Sequence, residues 1–313
     1  MDRTEAIARE APVRADPTFA RGCAWIEGGF VPIEEARIPL LDWGFLRGDC
    51  TYDTVHVWRG RFFRLQDHLD RFLRNVGRLR LALPVGRDEL EAILHACVAR
   101  AGLSDAYVQA ICTRGLPPAG SRDPRLCRNR LYAYAVPFIW IATPERQEQG
   151  LHLVVSSVQR VPEASVDPTV KNFNWLDLLG GLFQALETGA DLPVLVDARG
   201  DLTEGPGFNL FLVRDGRLAT PERGALDGIT RRTAIELARL LQIPVEVRAV
   251  ARSETVDAEE AFLTSTAGGI VPITRVDGRV LGDGRPGPLT RRLREAYWEA
   301  HADPRWSEPV RCA

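Results

Sequence analysis

Short apolar runs broken by turn residues fill the chain from Ala24 onward, the spacing of strands joined by tight connections. The run from Ala24 to Pro32 predicts a hairpin turning at Gly28 and Gly29, and 52–64 predicts two strands turning at Arg59 and Gly60. Leu69, Phe72, Leu73, Val76 and Leu79 recur at helical spacing and predict a helix over 66–80. Leu90, Ile93, Leu94, Cys97 and Val98 predict a second helix over 88–101. Strands over 106–113 and 131–141 enclose a Gly/Pro/Arg-rich loop at 115–130. In the second half the pattern predicts strands at 151–158, 192–197, 209–213, 245–250, 261–266 and 270–275, with helices over 174–188, 230–242 and 288–301.

Strands and helices mix without strict βαβ alternation, so the fold class is α+β. Residues 1–20 carry charge and proline with little periodicity and read as a tail or an arm on a partner subunit. Residues 21–143 form an N-terminal α/β unit, the polar stretch 144–150 a linker, and 151–313 a C-terminal unit. The 313 residues carry a formal net charge of −2, which provides no basic field for nucleic acid. The longest apolar stretch, 131–142, contains Pro137 and is too short to span a bilayer, and the N-terminus lacks the apolar core of a secretory signal. The cysteines are scattered, with no C-x-x-C pair, and the histidines are far apart. That pattern indicates reduced thiols in a cytoplasmic compartment, with no disulfide framework and no metal site.

Of the 40 lysines and arginines, Lys171 is the only lysine. Arginine can replace lysine at a surface or in an ion pair, but a guanidinium stays protonated and cannot serve as a nucleophilic amine. Lys171, where a loop enters a helix, is therefore a candidate for amine chemistry; the plain alternative is an exposed loop lysine. Glu204, followed by Gly205, Pro206 and Gly207, is either a solvated turn residue or a buried carboxylate able to keep a ring nitrogen protonated. Leu226 to Thr230 opens a helix whose amides can hold an anion, with Thr230 as a further donor or a simple cap. Ser265 and Thr266, before the turn at Ala267 to Gly269, add hydroxyls to a phosphate site or merely end a hairpin, and Arg71 offers a counter-charge. An amine, a ring-nitrogen carboxylate and phosphate donors at a helix start together describe a pyridoxal phosphate site.

The ordered motifs Asp42-x-Gly44-x-x-x-Gly48-Asp49, His68-x-x-Arg71, Lys171-x-x-Asn174, Glu204-Gly-x-Gly-x-Asn209 and Leu226-x-Gly-Ile-Thr-Arg231 resemble those of the class IV, fold type IV pyridoxal-phosphate aminotransferases. The likeness runs from about Gly22 to Trp298. The segments 24–32, 51–58, 167–178, 202–209 and 264–274 are most similar to the (R)-selective amine transaminases. The resemblance implies a two-domain fold with the cofactor between a smaller and a larger domain. It implies Lys171 as Schiff-base lysine and proton shuttle, and Glu204 at the pyridine nitrogen. Arg71, Ile229, Thr230 and Thr266 would hold the phosphate, and Leu226 would pack on the ring. Tyr52, Thr54, His56, Tyr107, Gln109, Trp175 and Ser265 would line the substrate pockets. Many (R)-selective relatives have Phe-Val-Glu where this chain has Tyr107-Val108-Gln109, and the loop arginine that meets a carboxylate has Arg122 as its nearest substitute here. The resemblance further implies a homodimer with the 115–130 loop contributing across it, moving an amino group from an (R)-configured primary amine to a keto acid such as pyruvate. A D-amino acid or branched-chain aminotransferase is the alternative within enzymes, and a non-catalytic binding protein the remote one.

Overall fold

The computed structural model describes residues 17–311. Most of the expected arm, 1–16, and Cys312 lie outside them. The end of that segment is not a free arm: Pro17–Phe19 forms a 3-10 turn and Phe19 is buried in the first core.

The first half contains β1 (Cys23–Ile26), β2 (Gly29–Pro32), α1 (Trp43–Arg47), β3 (Cys50–Trp58), β4 (Arg61–Phe63), α2 (Leu65–Arg78), α3 (Arg87–Ala101), β5 (Ala106–Leu116) and β6 (Arg128–Pro137). Next come α4 (Pro144–Gln149), β7 (Leu151–Gln159), α5 (Leu176–Glu187), β8 (Leu192–Val196), β9 (Glu204–Gly205), β10 (Phe208–Arg214), β11 (Arg217–Pro221) and α6 (Ile229–Leu240). The chain finishes with β12 (Val245–Arg248), α7 (Glu254–Asp257), β13 (Glu260–Ser265), β14 (Gly269–Val276), β15 (Arg279–Val280), α8 (Pro288–Glu299) and β16 (Ser307–Pro309).

Two sheets result. The first runs β16-β4-β3-β5-β6-β1-β2, and the second runs β12-β11-β10-β13-β14-β7-β8 with β9 and β15 beside it. The stripes read from the sequence explain the packing of the first. Leu69, Phe72 and Val76 of α2 and Leu90, Leu94 and Cys97 of α3 cover one sheet face, meeting Val55, Val57, Val108 and Ala110. Alternation along β3 sends Tyr52, Thr54 and His56 to the opposite face, in register with Ile111, Gln109 and Tyr107 of β5. In the second unit, α6 and α8 pack on Phe211, Phe262 and Ile270, while Leu153, Leu210, Leu263 and Val271 fill another core.

Several details differ from expectation. The first hairpin turns at Glu27 and Gly28, both with positive φ (52° and 89°), so Gly29 already belongs to β2. The polar stretch 144–150 is helical over Pro144–Gln149, started by the Thr143 hydroxyl and by proline at its first turn. Strand extensions shorten the 115–130 loop to 117–127. The chain end leaves the second unit, to which 151–313 were assigned: β16 pairs antiparallel with β4 in the first sheet. Arg311 secures it by pairing with Glu91 and by donating its backbone N–H to His95 Nδ1 at 3.0 Å.

The returning segment also engages His56. Its Nε2 lies 2.7 Å from Nε2 of His301, among Phe63, Phe138 and Trp298. His301 Nδ1 must donate to the Tyr297 carbonyl at 2.9 Å, so its Nε2 accepts from His56. Burial pushes His301 down to about 4 and lowers His56 as well. An unfolded histidine takes up its proton near pH 6.5, so below that pH the unfolded state binds more protons. Stability therefore falls as pH drops from about 6.5 toward 4, by about 3 kcal/mol from His301 alone. Thermal unfolding across this range tests it: the melting temperature of the natural chain falls more steeply than that of His301→Gln.

Candidate active site

Lys171 lies in the loop before α5, tied to the first sheet because its carbonyl accepts from Thr51 Oγ1 at 2.7 Å and from the Tyr52 amide at 3.3 Å. The Nζ atom stands 4.4 Å from the centre of the Tyr52 ring, and Phe173 packs on that ring at 4.6 Å. Burial lowers the ammonium's pKa, and the nearby Arg71 guanidinium lowers it further, so the amine spends more of its time neutral and nucleophilic.

Glu204, in β9, shares the cleft with Lys171. It is buried, not a solvated turn residue, and its neighbours explain how. Oε2 accepts from the Leu226 amide at 2.9 Å, and Oε1 accepts from Arg160 Nη2 at 3.0 Å. Arg160 Nη1 in turn donates to Asp177 at 2.6 Å, and Asp177 also accepts from the Val161 amide at 2.8 Å. Burial raises the Glu204 carboxyl, and the charge and hydrogen bond of Arg160 pull against that rise. Arg160 and Asp177 escaped the sequence reading, because one arginine at a strand end carries no distinguishing signal among so many.

At the start of α6, Gly228 supplies no side-chain cap, which leaves the first-turn amides of Ile229 and Thr230 without a side-chain acceptor. A Cβ at Gly228 would come within 2.1 Å of Asn209 Oδ1, so the close approach requires glycine. Asn209 Nδ2 meanwhile donates to the Leu226 carbonyl at 2.9 Å and fixes the turn. Arg71 reaches the same turn from α2, donating through Nη1 to the Asp227 carbonyl at 3.0 Å. Thr264 and Ser265 end β13 and Thr266 follows it, all three in the cleft wall. The Ser265 hydroxyl donates to the Gly207 carbonyl at 2.9 Å. The Thr264 hydroxyl is buried and has no partner, a donor no part of the sequence reading had named.

The cleft thus gathers Tyr52, Arg71, Lys171, Trp175, Glu204, Leu226, Ile229, Thr230, Ser265 and Thr266. Thr54 and Gln109 lie on the sheet face that continues from Tyr52, and Tyr107 follows Gln109 along β5. Tyr134 donates to Gln109 Oε1 at 2.6 Å, and the buried Thr54 hydroxyl is unpartnered. His56 contacts His301, and Arg122 is exposed on the 117–127 loop. Among the described residues no helix is long and apolar enough to cross a membrane.

Residues 51–276 match the family described as amino-transferase class IV. The chain is 32% identical to the branched-chain-amino-acid aminotransferase of Pseudomonas aeruginosa, over 90% of this chain and 96% of that one. It superimposes on the branched-chain aminotransferase of the thermophilic archaeon Thermoproteus uzoniensis with norvaline at a TM-score of 0.84 and 31% identity, covering 92% of this chain and 99% of the other. The holo-form, PLP-form branched-chain aminotransferase of Thermobaculum terrenum gives a TM-score of 0.84 at 29% identity, covering 94% and 99%. The chain is an α+β, fold type IV member of the class IV aminotransferases, a family that uses pyridoxal phosphate.

Proposed function

We propose that this aminotransferase takes its amino group from an (R)-configured primary amine and passes it to a keto acid such as pyruvate. The observation that carries the reading is the sheet face that continues from Tyr52, the ring beside Lys171. Thr54, Tyr107 and Gln109 supply neutral hydrogen-bonding groups there, and Gln109 is held by Tyr134. The two arginines in the cleft already face acids, Arg71 facing Asp53 and Arg160 facing Glu204 and Asp177, and the N–H groups left on Arg71 lie beside the start of α6. A donor with an apolar group in place of a carboxylate suits such a face, because no charge is left unpaired by its absence. The second reading, a branched-chain amino acid donor, is favoured by the names of the similar proteins.

The residues present fit pyridoxal phosphate. The uncapped start of α6, Arg71 and the unpartnered Thr264 hydroxyl offer donors to a dianion, while a buried amine and a buried carboxylate lie in the same cleft. When bound, the cofactor supplies an aldehyde that condenses with amines and a ring that takes up the electron pair left by a departing proton. Lys171 Nζ is the amine that would hold it, and with its lowered affinity for a proton it could, once freed, take the proton from the donor's α-carbon. Glu204 would pair with the ring nitrogen and favour its protonated form, with Arg160 opposing the effect of burial on the acid. Ile229, Thr230 and Thr266 would bind phosphate oxygens, Leu226 would pack on the ring, and Tyr52 and Trp175 would enclose the substrate. Comparing kcat/KM for (R)-1-phenylethylamine, D-alanine and L-leucine with pyruvate or 2-oxoglutarate tests the assignment. A clear preference for L-leucine transfers it to the branched-chain reading.

The active form is a homodimer. Helix α5 presents Leu176, Leu179, Phe183 and Leu186 along one exposed stripe; Leu40, Leu41, Phe45 and Leu46 are exposed in and just before α1, and Phe45 and Leu176 line one pocket. Leu176 is 87% exposed, an exposure suited to an interface with a second copy. Phe183→Glu places a charge in that contact. Sedimentation then reads a shift from dimer to monomer with loss of activity; a natural chain that sediments as a monomer contradicts the assignment.

A further inference from the structure

Asp53 lies on the core-facing side of β3, the side it shares with Val55 and Val57. A carboxylate there needs charged partners. Its Oδ2 accepts from Arg71 Nε at 2.7 Å and its Oδ1 from Arg71 Nη2 at 2.8 Å, a two-point fork. Oδ1 also accepts from His68 Nδ1 at 2.8 Å and from the Thr54 amide at 2.8 Å. Because a charged carboxylate only accepts, His68 Nδ1 carries the proton. Burial pushes Asp53 up, but Arg71 and His68 outweigh it and hold the acid well below the usual carboxylate range. Asp53, His68 and Arg71 are all buried.

The fork fixes the guanidinium plane. Of its five N–H groups, two go to Asp53 and one to the Asp227 carbonyl. One N–H on each Nη is left, at the cleft wall beside the uncapped start of α6. Without Asp53 the long side chain regains its rotamers and points nowhere in particular.

We propose that Asp53, supported by His68, is the positioning residue that aims Arg71 at the cofactor's phosphate and thereby sets the chain's preference for a phosphorylated over an unphosphorylated cofactor. The proposal rests on the reading of Arg71 as a phosphate contact, and the test separates the two.

The full chain, freed of cofactor, is titrated with pyridoxal phosphate and with pyridoxal, and the two dissociation constants are read from tryptophan fluorescence. The preference is their ratio. Asp53→Asn lowers the preference by about 10-fold or more while pyridoxal binding changes little. Arg71→Met removes most of it, and adding Asp53→Asn to Arg71→Met lowers it no further, because the acid acts only through the arginine. An unchanged ratio in Asp53→Asn, or an equal loss for both ligands, overturns the proposal. So does a further drop in the double variant. A ratio unaffected by Arg71→Met overturns the reading of Arg71 and the proposal with it. If Asp53→Asn does not fold, His68→Phe carries the test. It removes one N–H from Asp53 and lowers the preference in the same direction; an unchanged ratio overturns the proposal.

Discussion

Lys171→Arg, with the charge kept and the length nearly matched, loses transamination by on the order of 10⁴-fold or more, and Lys171→Ala does the same. The two variants fail for one reason. A guanidinium remains protonated at any working pH, so it neither condenses with an aldehyde nor takes a proton from carbon. The natural amine has the opposite character, since burial and Arg71 both lower its affinity for a proton. Steady-state rates and the visible spectrum check the claim together: both variants lose the yellow colour of the covalently held cofactor as well as turnover. Lys171→Arg with more than a few per cent of natural activity contradicts the assignment. In a chain that uses arginine for every other such cation, this substitution separates charge from amine chemistry.

Glu204→Gln lowers kcat by about 10²- to 10³-fold while KM moves much less, because a carboxylate at the ring nitrogen would keep that nitrogen protonated and the ring able to accept an electron pair, which bears on the chemical step more than on binding. The substitution is close in shape but wrong in hydrogen bonding. Both carboxylate oxygens accept in the natural site, one from Leu226 and one from Arg160. A glutamine must turn its NH₂ toward one of these donors or toward the ring nitrogen, and in none of these orientations does it supply the negative charge that favours a protonated ring. Arg160→Leu frees Glu204 from its buried counter-charge, and since burial already raises the acid, its activity shifts to higher pH. Rate profiles against pH read both effects. A Glu204→Gln variant within a few-fold of natural kcat removes Glu204 from the ring nitrogen.

Much of this was legible in the chain itself. Lys171 stood out because every exchangeable lysine is absent. The stripes of α2 and α3 gave the first core because their burial follows one-dimensional spacing. What escaped depends on contacts between distant segments. Arg160 reads like any other arginine until the fold brings it to Glu204, 44 positions later. The family resemblance places His56 with Tyr52 and Thr54 at the substrate; only the returning chain end brings His301 to it. The polar segment 144–150 looked like a linker because its helix, Pro144–Gln149, is short and mostly exposed, with little apolar periodicity to betray it. Asp53 did leave a trace, an acid in phase with core valines, which signals a buried cation partner.

The most direct test is the visible spectrum of the holoenzyme before and after an excess of one amino donor, with no acceptor present. Separate samples receive (R)-1-phenylethylamine, D-alanine and L-leucine. A yellow protein that is bleached by the (R)-amine, and more slowly or not at all by the amino acids, is the result predicted. Bleaching by an amino acid alone contradicts the amine donor, and a protein that stays colourless with pyridoxal phosphate supplied contradicts the site at Lys171.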